Sequence, residues 1–501
     1  MLEKFFTLCF SLFSALSLTA QTVDVQHYHF RVKLTDANNI IHGNAQVQLK
    51  LPQSSKQFSL QLKNASNGKG MQVASVTGSH VQSFVHKSDS ILIQLKEPPH
   101  PDSVYTINIQ YSGVPADGLI IAKNKWGDRT FFSDNWPNRA HHWLPCNDTP
   151  ADKATVEFAV TAPVYYQVVS NGVQVEESNV DSSQTLTHWR ETVPIPTKVM
   201  VIGAARFAVK NYVDSSRIYD VSAWVYPQDS SKGFYDYALA PSILHFFHDY
   251  VGAYPFSKLA NVQSKTMFGG MENASAIFYN ETSVTGTRSS EGLIAHEIAH
   301  QWFGNMATEK SFAHLWLSEG FATYLTHMYL EQQYGADTLL KGMRQDRDQV
   351  VRFSKNWNKP VVDSTSDLMD LLNANSYQKG GWVLHMLRQQ MGDDVFRKIV
   401  SAYYNQYKGG NAETRDFQNV AEKISGKNQD VFFRQWLFTP GHPQLQVQWK
   451  QAKDGISVTV RQLQANAFVF PLSIGIHTAT GALPVERLTI IKKEETFTLK
   501  G

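Results

Sequence analysis

The spacing of apolar residues changes twice along this chain of 501 residues, and the two changes divide it into three regions. Over 21–212 apolar and polar residues alternate, as at Phe30 and Val32, which predicts an antiparallel β domain. Over 213–440 the apolar period becomes helical, which predicts a domain rich in helices. Alternation returns over 441–501 and predicts a small β-sandwich-like module. We therefore expect a multidomain α+β protein.

Charge and composition exclude several classes of protein. The chain has 46 Lys and Arg against 44 Asp and Glu, a net charge of +2, so we expect no nucleic-acid partner. Its hydrophobic content of 42% is enough to build cores, which excludes wholesale disorder. Cys9 and Cys146 are the only cysteines, which excludes both a disulfide scaffold and a zinc site built mainly from thiolates.

The first twenty residues are typical of a secretory signal peptide. Lys4 precedes an apolar run from Phe5 to Leu18, and the small residues Thr19 and Ala20 follow it. We expect cleavage near Ala20 and an exported protein, periplasmic or secreted, with no stable membrane span after cleavage. An uncleaved N-terminal membrane anchor is the alternative, although the run is shorter than the roughly 20 residues that span a bilayer.

A short histidine motif indicates a metal site. His296-Glu297-Ile298-Ala299-His300 lies in a helical stretch, and the i, i+4 spacing places both imidazoles on one face, about 6 Å apart at Cβ. That separation suits two ligands of one Zn²⁺, and Glu297 lies beside the metal, where it can take a proton from water. The alternative interpretation is a solvated helix face with incidental histidines, so the assignment needs a third ligand.

Glu319 is the candidate third ligand, in a second helical stretch that a turn can bring back to the first. Two imidazoles and one carboxylate leave a coordination position open, as in catalytic rather than structural zinc sites. We therefore predict one Zn²⁺ per chain, held by His296, His300 and Glu319. Zinc in such a site lowers the pKa of its water to about 7.

At this point the chain resembles the gluzincin zinc aminopeptidases, the family of aminopeptidase N and leukotriene hydrolase. The zinc signature His296-Glu297-x-x-His300 with Glu319 is accompanied by three further segments in the expected order. These are Gly269-Gly270-Met271-Glu272-Asn273, similar to G-x-M-E-N; Tyr377-Gln378-Lys379-Gly380, similar to Y-x-K-G; and the block from Leu144 to Ala154, similar to P-C-x-D-x-P-x-x-K-A. The resemblance runs from about residue 28 to residue 445.

The resemblance implies a thermolysin-like mixed α/β catalytic domain and a role for each matched residue. Glu272 would bind the free α-ammonium of a peptide substrate, and the segment Gly269, Gly270, Met271, Glu272 and Asn273 would line the substrate. Glu297 would be the general base, and Tyr377 would donate a hydrogen bond to the oxyanion. The implied partners are peptides with a free N-terminus.

The sequence departs from the family pattern at two places. Trp136 stands where the family usually has a second acidic or amide side chain for the ammonium, and an indole cannot accept from that group. Either Asp134 or Asn135 takes this role from a shifted loop, or Glu272 binds the ammonium alone. In addition, the chain ends at Gly501, so we expect no helical domain over the cleft and an incomplete C-terminal module.

The sequence thus predicts a zinc metallo-aminopeptidase. Two other hydrolases remain as alternatives, a metallo-endopeptidase and an epoxide hydrolase. A zinc-bound peptide-binding protein without turnover is an alternative from another class, although all four residues that turnover needs are present. The preferred N-terminal residue depends on the walls of the cleft, which no motif encodes.

Overall fold

The structure is a computed structural model that describes residues 23–51, 55–100, 102–212, 219–453, 455–478, 481–482 and 484–499. The predicted signal peptide, residues 1–20, and the terminal Gly501 lie outside the described residues. So do residues 213–218, which include the start of the predicted second domain.

The first region is built from strands, as predicted. Its strands are β1 Asp24–Lys33, β2 Ile41–Lys50, β3 Gln57–Gln61, β4 Gly70–Thr77, β5 Val81–Lys87, β6 Ser90–Leu95, β7 Val104–Val114, β8 Leu119–Lys123, β9 Arg129–Ser133, β10 Lys153–Pro163, β11 Gln167–Ser170, β12 Val173–Asn179, β13 Gln184–Pro196 and β14 Ile202–Ala205. They form a seven-stranded sheet in the order β12-β13-β10-β1-β2-β7-β4, a four-stranded sheet β11-β14-β9-β8 and a three-stranded sheet β3-β6-β5.

The seven-stranded sheet follows the alternation of the sequence. On β1, Phe30 and Val32 are buried, whereas His29 and Arg31 point to the opposite, polar face. Pairing is antiparallel except between β1 and β10, which run parallel with Phe30 opposite Phe158. The sequence predicted an antiparallel domain, and this parallel pair differs because β1 and β10 meet across more than a hundred residues of intervening chain.

The second region combines one sheet with a set of helices. Its strands are β15 Ala208–Tyr212, β16 Asp220–Val225, β17 Lys258–Ser264, β18 Gly270–Met271, β19 Ala276–Asn280, β20 Thr308–Glu309 and β21 Asn411–Ala412. Its helices are α1 Ser230–Tyr237, α2 Ala240–Tyr250, α3 Glu291–Ala299, α4 Trp316–Tyr334, α5 Ala336–Phe353, α6 Gly380–Met391, α7 Asp393–Tyr407, α8 Thr414–Ser425 and α9 Asp430–Leu437. The sheet order is β15-β16-β17-β19-β18. Thus β15, which the sequence analysis placed in the first region, pairs with β16 of the second.

Helices α4 and α6 approach each other very closely. A Cβ on Gly320 of α4 would lie 2.9 Å from the backbone of Gly380, the first residue of α6. A side chain at either position would push the helices apart. The turn of π-helix over Asn375–Lys379, which directly precedes α6, is therefore held against α4.

One continuous hydrophobic core extends through the first two regions, and the C-terminal module has its own. The module consists of β22 Leu445–Ala452, β23 Gly455–Gln462, β24 Phe470–Ile474, β25 His477–Thr478, β26 Gly481–Ala482, β27 Glu486–Ile490 and β28 Glu494–Leu499. Val460 and Ile490 are fully buried in its small core. Among the described residues, no helix combines the length and the apolar character needed to cross a membrane.

Candidate active site

The three predicted metal ligands converge at the contact between α3 and α4. The Nε2 atoms of His296 and His300 lie 3.1 Å apart, and each lies 3.2 Å from Oε2 of Glu319. Zinc bonds of about 2.0–2.1 Å in a tetrahedral site place neighbouring ligand atoms about 3.3 Å apart. The three donor atoms therefore already form one face of such a tetrahedron, and their chemistry and spacing fit Zn²⁺.

The second ring nitrogen of His300 is fixed by its surroundings. Its Nδ1 lies 3.1 Å from the carbonyl oxygen of Phe303 and 3.1 Å from Oγ of Ser318. A proton on Nδ1 is donated to that carbonyl, so the lone pair of Nε2 is left facing the other two ligands. The backbone just after α3 thus selects the tautomer that can bind a metal.

The buried histidines and carboxylates of this group shift one another's pKa values. Burial alone would lower the pKa of His300, but Glu319 and the nearby Glu272 and Glu297 raise it to about 10. Burial raises the pKa of Glu319, but His300 and His296 outweigh this effect and hold the pKa well below its usual range. The arrangement therefore stabilises positive charge strongly, whether that charge is a proton or a metal ion.

Glu297 follows His296 on α3 and faces the strand β18. A Cβ on Gly270 would lie only 2.4 Å from Oε1 of Glu297, so a larger residue at that position would require this carboxylate to shift. Burial, together with Glu272 and Glu319, raises the pKa of Glu297 well above its usual value. A carboxylate in this state can accept and hold a proton near neutral pH.

Tyr377 reaches the site from the π-helical turn before α6. Its ring lies nearly parallel to that of His296, with the centroids 5.9 Å apart. Burial, with the negative charge of Glu319 and Glu272, raises the pKa of Tyr377 well above its usual value. The phenol therefore keeps its proton and remains a hydrogen-bond donor. π-Helical turns inside helices occur frequently at functional sites.

Glu272 follows β18, the edge strand of the five-stranded sheet. Its side chain is buried, and its Oε1 has no hydrogen-bond partner among the described residues. Its backbone carbonyl accepts hydrogen bonds from Nε2 of Gln301 at 2.9 Å and Nδ2 of Asn305 at 2.6 Å. These two amides were not predicted from the sequence, although polar side chains in the apolar stretch after α3 were a usable signal.

These side chains surround a cleft of about 340 Å³. Its walls are formed by Trp136, Phe268, Gly269, Gly270, Met271, Glu272, Leu293, His296, Glu297, His300, Glu319, Leu372 and Tyr377. Nine of the ten predicted site residues are in this set. The tenth, Asn273, is fully buried behind the wall, and its side-chain amide has no hydrogen-bond partner among the described residues.

The loop around Trp136 places its indole in the cleft. The neighbouring polar side chains, Asp134 and Asn135, are not part of the cleft wall. Asp134 is bound by Arg139 at 2.6 Å and by Thr266 at 3.0 Å. Asn135 donates to the carbonyl of Met200 and accepts from the indole of Trp143, both through short buried hydrogen bonds. Asp134 and Asn135 are therefore engaged in buried hydrogen bonds and do not line the cleft.

Two family models match this chain. The Peptidase M1 N-terminal domain matches residues 24–199, and the Peptidase family M1 domain matches residues 235–436. The chain belongs to peptidase family M1. This confirms the resemblance seen in the motifs, and membership of the M1 family implies a zinc cofactor, for which the His296, His300 and Glu319 group is suited.

Relatives of this M1 chain include named aminopeptidases. It is 28% identical over 360 residues to probable aminopeptidase 2 of Sulfurisphaera tokodaii, a match that covers 68% of this chain and 45% of that protein. It is 24% identical over 455 residues to glutamyl aminopeptidase of Homo sapiens, covering 85% of this chain and 47% of the relative. The M1 chain therefore spans about half the length of these relatives.

Solved M1 structures share the fold. A two-domain M1 zinc metallopeptidase, crystallised as a mutant with L-tryptophan, aligns with a TM-score of 0.73 at 22% identity, covering 84% of this chain and 96% of the other. A mutant M1 zinc metallopeptidase of Deinococcus radiodurans with a Tyr-Ser-Ala substrate aligns with a TM-score of 0.71 at 21% identity, with the same coverage. The predicted fold class, a β-rich domain before a mixed catalytic domain and C-terminal strands, is confirmed.

Proposed function

We propose that this protein is a zinc aminopeptidase that removes single residues from the free N-terminus of peptides. The observation that carries the proposal is Oε1 of Glu272, a buried carboxylate oxygen without a hydrogen-bond partner among the described residues. Ligand atoms of Glu272, Glu297 and His300 lie within 4.8 Å of one another, so the Glu272 carboxylate is close to the candidate metal ligands. A buried, unpartnered carboxylate is costly unless a cation binds to it, and a peptide α-ammonium is such a cation.

The edge strand β18 supports the binding of an extended peptide. Gly270 and Met271 pair with β19 on one side only, and β18 is the last strand in the described sheet. A peptide can therefore add to the free edge through main-chain hydrogen bonds. Such pairing would place the first peptide bond between Glu272 and the metal ligands.

We assign a separate catalytic role to the metal ligands, to Glu297 and to Tyr377. Zinc held by His296, His300 and Glu319 would supply Lewis acidity to a water molecule and to the peptide carbonyl. Glu297 would take the proton of the attacking water, hold it because of its raised pKa, and pass it to the leaving amine. Tyr377 would donate its phenolic hydrogen to the carbonyl oxygen as negative charge develops there.

The apolar wall of the cleft favours a large apolar N-terminal residue. Trp136 packs edge-to-face with Phe268, with the ring centroids 6.0 Å apart, and Leu293 and Leu372 line the same cleft. An apolar side chain bound there loses water-exposed area, whereas a charged one loses hydration without a partner. On a panel of aminoacyl fluorogenic substrates we expect Trp, Phe and Leu to be cleaved with higher kcat/KM than Asp or Lys. A preference for charged residues would contradict this assignment.

We also propose that the protein is exported. The proposal rests on the sequence before residue 21, where an apolar run is followed by Thr19 and Ala20. N-terminal sequencing of the protein purified from the native host should begin near Gln21. Retention of Met1 together with the membrane fraction would support the anchor instead.

The direct test of the enzymatic proposal compares one peptide with a free and with an acetylated N-terminus. The free peptide should lose its first residue, whereas the acetylated peptide should remain intact, and a chelator should abolish cleavage until zinc is restored. Cleavage of both peptides at an internal bond would indicate an endopeptidase. Binding of the free peptide by zinc-loaded protein, without cleavage of any peptide in a broad panel, would indicate a binding protein.

A further inference from the structure

A second group of metal-binding side chains lies on the outer, polar face of the seven-stranded sheet. His29 is on β1, Glu157 on β10 and His188 on β13, and β10 lies between the other two strands in the sheet. His29 is directly opposite Glu157 in the parallel pair, and His188 is opposite Ala159, two residues further along β10. The strand ladders therefore hold the three side chains together on one face.

The donor atoms of this group are already close. Nε2 of His188 lies 2.6 Å from Oε2 of Glu157, and the rings of His29 and His188 are parallel within 1°, with centroids 5.4 Å apart. One ligand atom from each of the three residues can be chosen so that all lie within 4.8 Å of one another. Nε2 of His29 is shielded from solvent and has no hydrogen-bond partner among the described residues.

We propose that His29, Glu157 and His188 bind a divalent transition-metal ion of the Zn²⁺ class, at a site separate from the cleft. Two imidazoles and a carboxylate suit zinc, copper or nickel and leave an open coordination position for water. Small side-chain rotations would bring the donors to the spacing of about 3.3 Å that bonds of zinc length require. The ion would replace the hydrogen bond between His188 and Glu157.

Neighbouring charges define how strongly the ion is held. Arg190 donates from Nε to Oε1 of Glu157 at 2.9 Å and from Nη2 to Oε2 at 3.5 Å, so the guanidinium orients the carboxylate and competes weakly with a metal for Oε2. Arg190 and Arg31 also add positive charge near the group, and His27 lies 3.8 Å from Oε1 of Glu157. A cation is therefore less favoured here than among the three buried carboxylates of the cleft, and we expect at least tenfold weaker binding.

Cobalt titration of the full-length protein tests this proposal. After removal of metal with a chelator, wild type should bind two equivalents of Co²⁺ in two separable steps, followed by visible absorption and by metal analysis after dialysis. His29→Gln and His188→Gln should each lose only the weaker step and keep aminopeptidase activity. His42→Gln, which removes an imidazole from the neighbouring strand of the same sheet, should still bind two equivalents.

The two sites can be distinguished in the same experiment. His300→Gln should lose the tighter step and retain the weaker one, so failure of the cleft assignment and failure of this proposal give different results. Uptake of a single equivalent by wild type at millimolar Co²⁺ would overturn the second site. Retention of two equivalents by both His29→Gln and His188→Gln would overturn it as well.

Discussion

In the proposed function, specificity for a free N-terminus depends on one side chain, the Glu272 carboxylate. Glu272→Gln keeps the shape but removes the charge, so we expect kcat/KM for free peptides to fall about 10- to 100-fold, the equivalent of one charge-assisted hydrogen bond. Zinc content should be unchanged. Glu291→Gln is the matched control, because Glu291 lies at the start of α3, binds Tyr329 and is outside the cleft lining. Equal activity of Glu272→Gln and wild type would remove Glu272 from the ammonium site.

The proposed role of Glu297 as the general base leads to a separate prediction. Glu297→Gln should retain zinc, because the three ligands are intact, but should lower kcat by about 100-fold or more, the usual contribution of a positioned general base. KM should change much less. The measurements are steady-state kinetics and atomic absorption on the same preparation. Activity near that of wild type would exclude Glu297 as the base, and loss of zinc would make its role structural.

At the scale of elements, the sequence predicted those parts of the site that depend on local spacing. The interval between His296 and His300 fixes two ligands on one helix whatever the rest of the chain does. Glu319 was predicted as well, because its motif marks the first turn of the next helix. The hydrogen bonds from Gln301 and Asn305 to the backbone of Glu272 were not predicted, because they join the end of α3 to a separate strand.

The same reasoning explains the elements that differed. The parallel pairing of β1 with β10 and the pairing of β15 with β16 depend on long-range contacts that alternation does not encode. Asp134 and Asn135 were open candidates because a carboxylate and an amide have the right chemistry for an ammonium. In the structure, Asp134 accepts a hydrogen bond from Thr266, and Asn135 donates one to the carbonyl oxygen of Met200. Both partners come from distant segments of the chain, so the local sequence did not reveal these contacts.

The junction between β1 and β10 should make stability depend on pH. Asp152, just before β10, accepts from the backbone N–H of Val25 at 3.2 Å and from the amide of Asn147 at 2.8 Å. Burial nevertheless raises the pKa of Asp152 from 3.8 to about 7. Its folded-state pKa is above the unfolded value, so its contribution to stability is full below about pH 4 and is lost as the pH rises to about 7.

Asp152→Asn removes this titration and provides the test. The melting temperature of the variant relative to wild type should be higher at pH 8 than at pH 5, because wild type alone loses stability across that interval. Asp181→Asn, at a fully exposed turn, should show no such change. A difference between Asp152→Asn and wild type that is constant with pH would contradict the raised pKa.

At the scale of the whole molecule, buried charges join the first region to the second. Nζ of Lys198, in the turn after β13, binds Oε1 of Glu309 on β20, and both side chains are almost completely buried. Lys153, at the start of β10, donates to the carbonyl oxygen of Met306 at 2.8 Å. These contacts hold the segment after α3 against the first region, which also supplies Trp136 to the cleft.

Removing one charge of the Lys198–Glu309 pair should lower the unfolding free energy more than replacing both residues with apolar ones. Lys198→Met alone leaves the Glu309 carboxylate buried without its main partner, and we expect a loss of about 3–5 kcal/mol in unfolding free energy. Lys198→Met combined with Glu309→Leu removes both charges and should be more stable than either single variant. Arg415→Met, which breaks an exposed pair with Asp430, should cost about 1 kcal/mol or less. Urea unfolding followed by circular dichroism gives these values, and a double variant as unstable as the sum of the singles would show that the two side chains act independently.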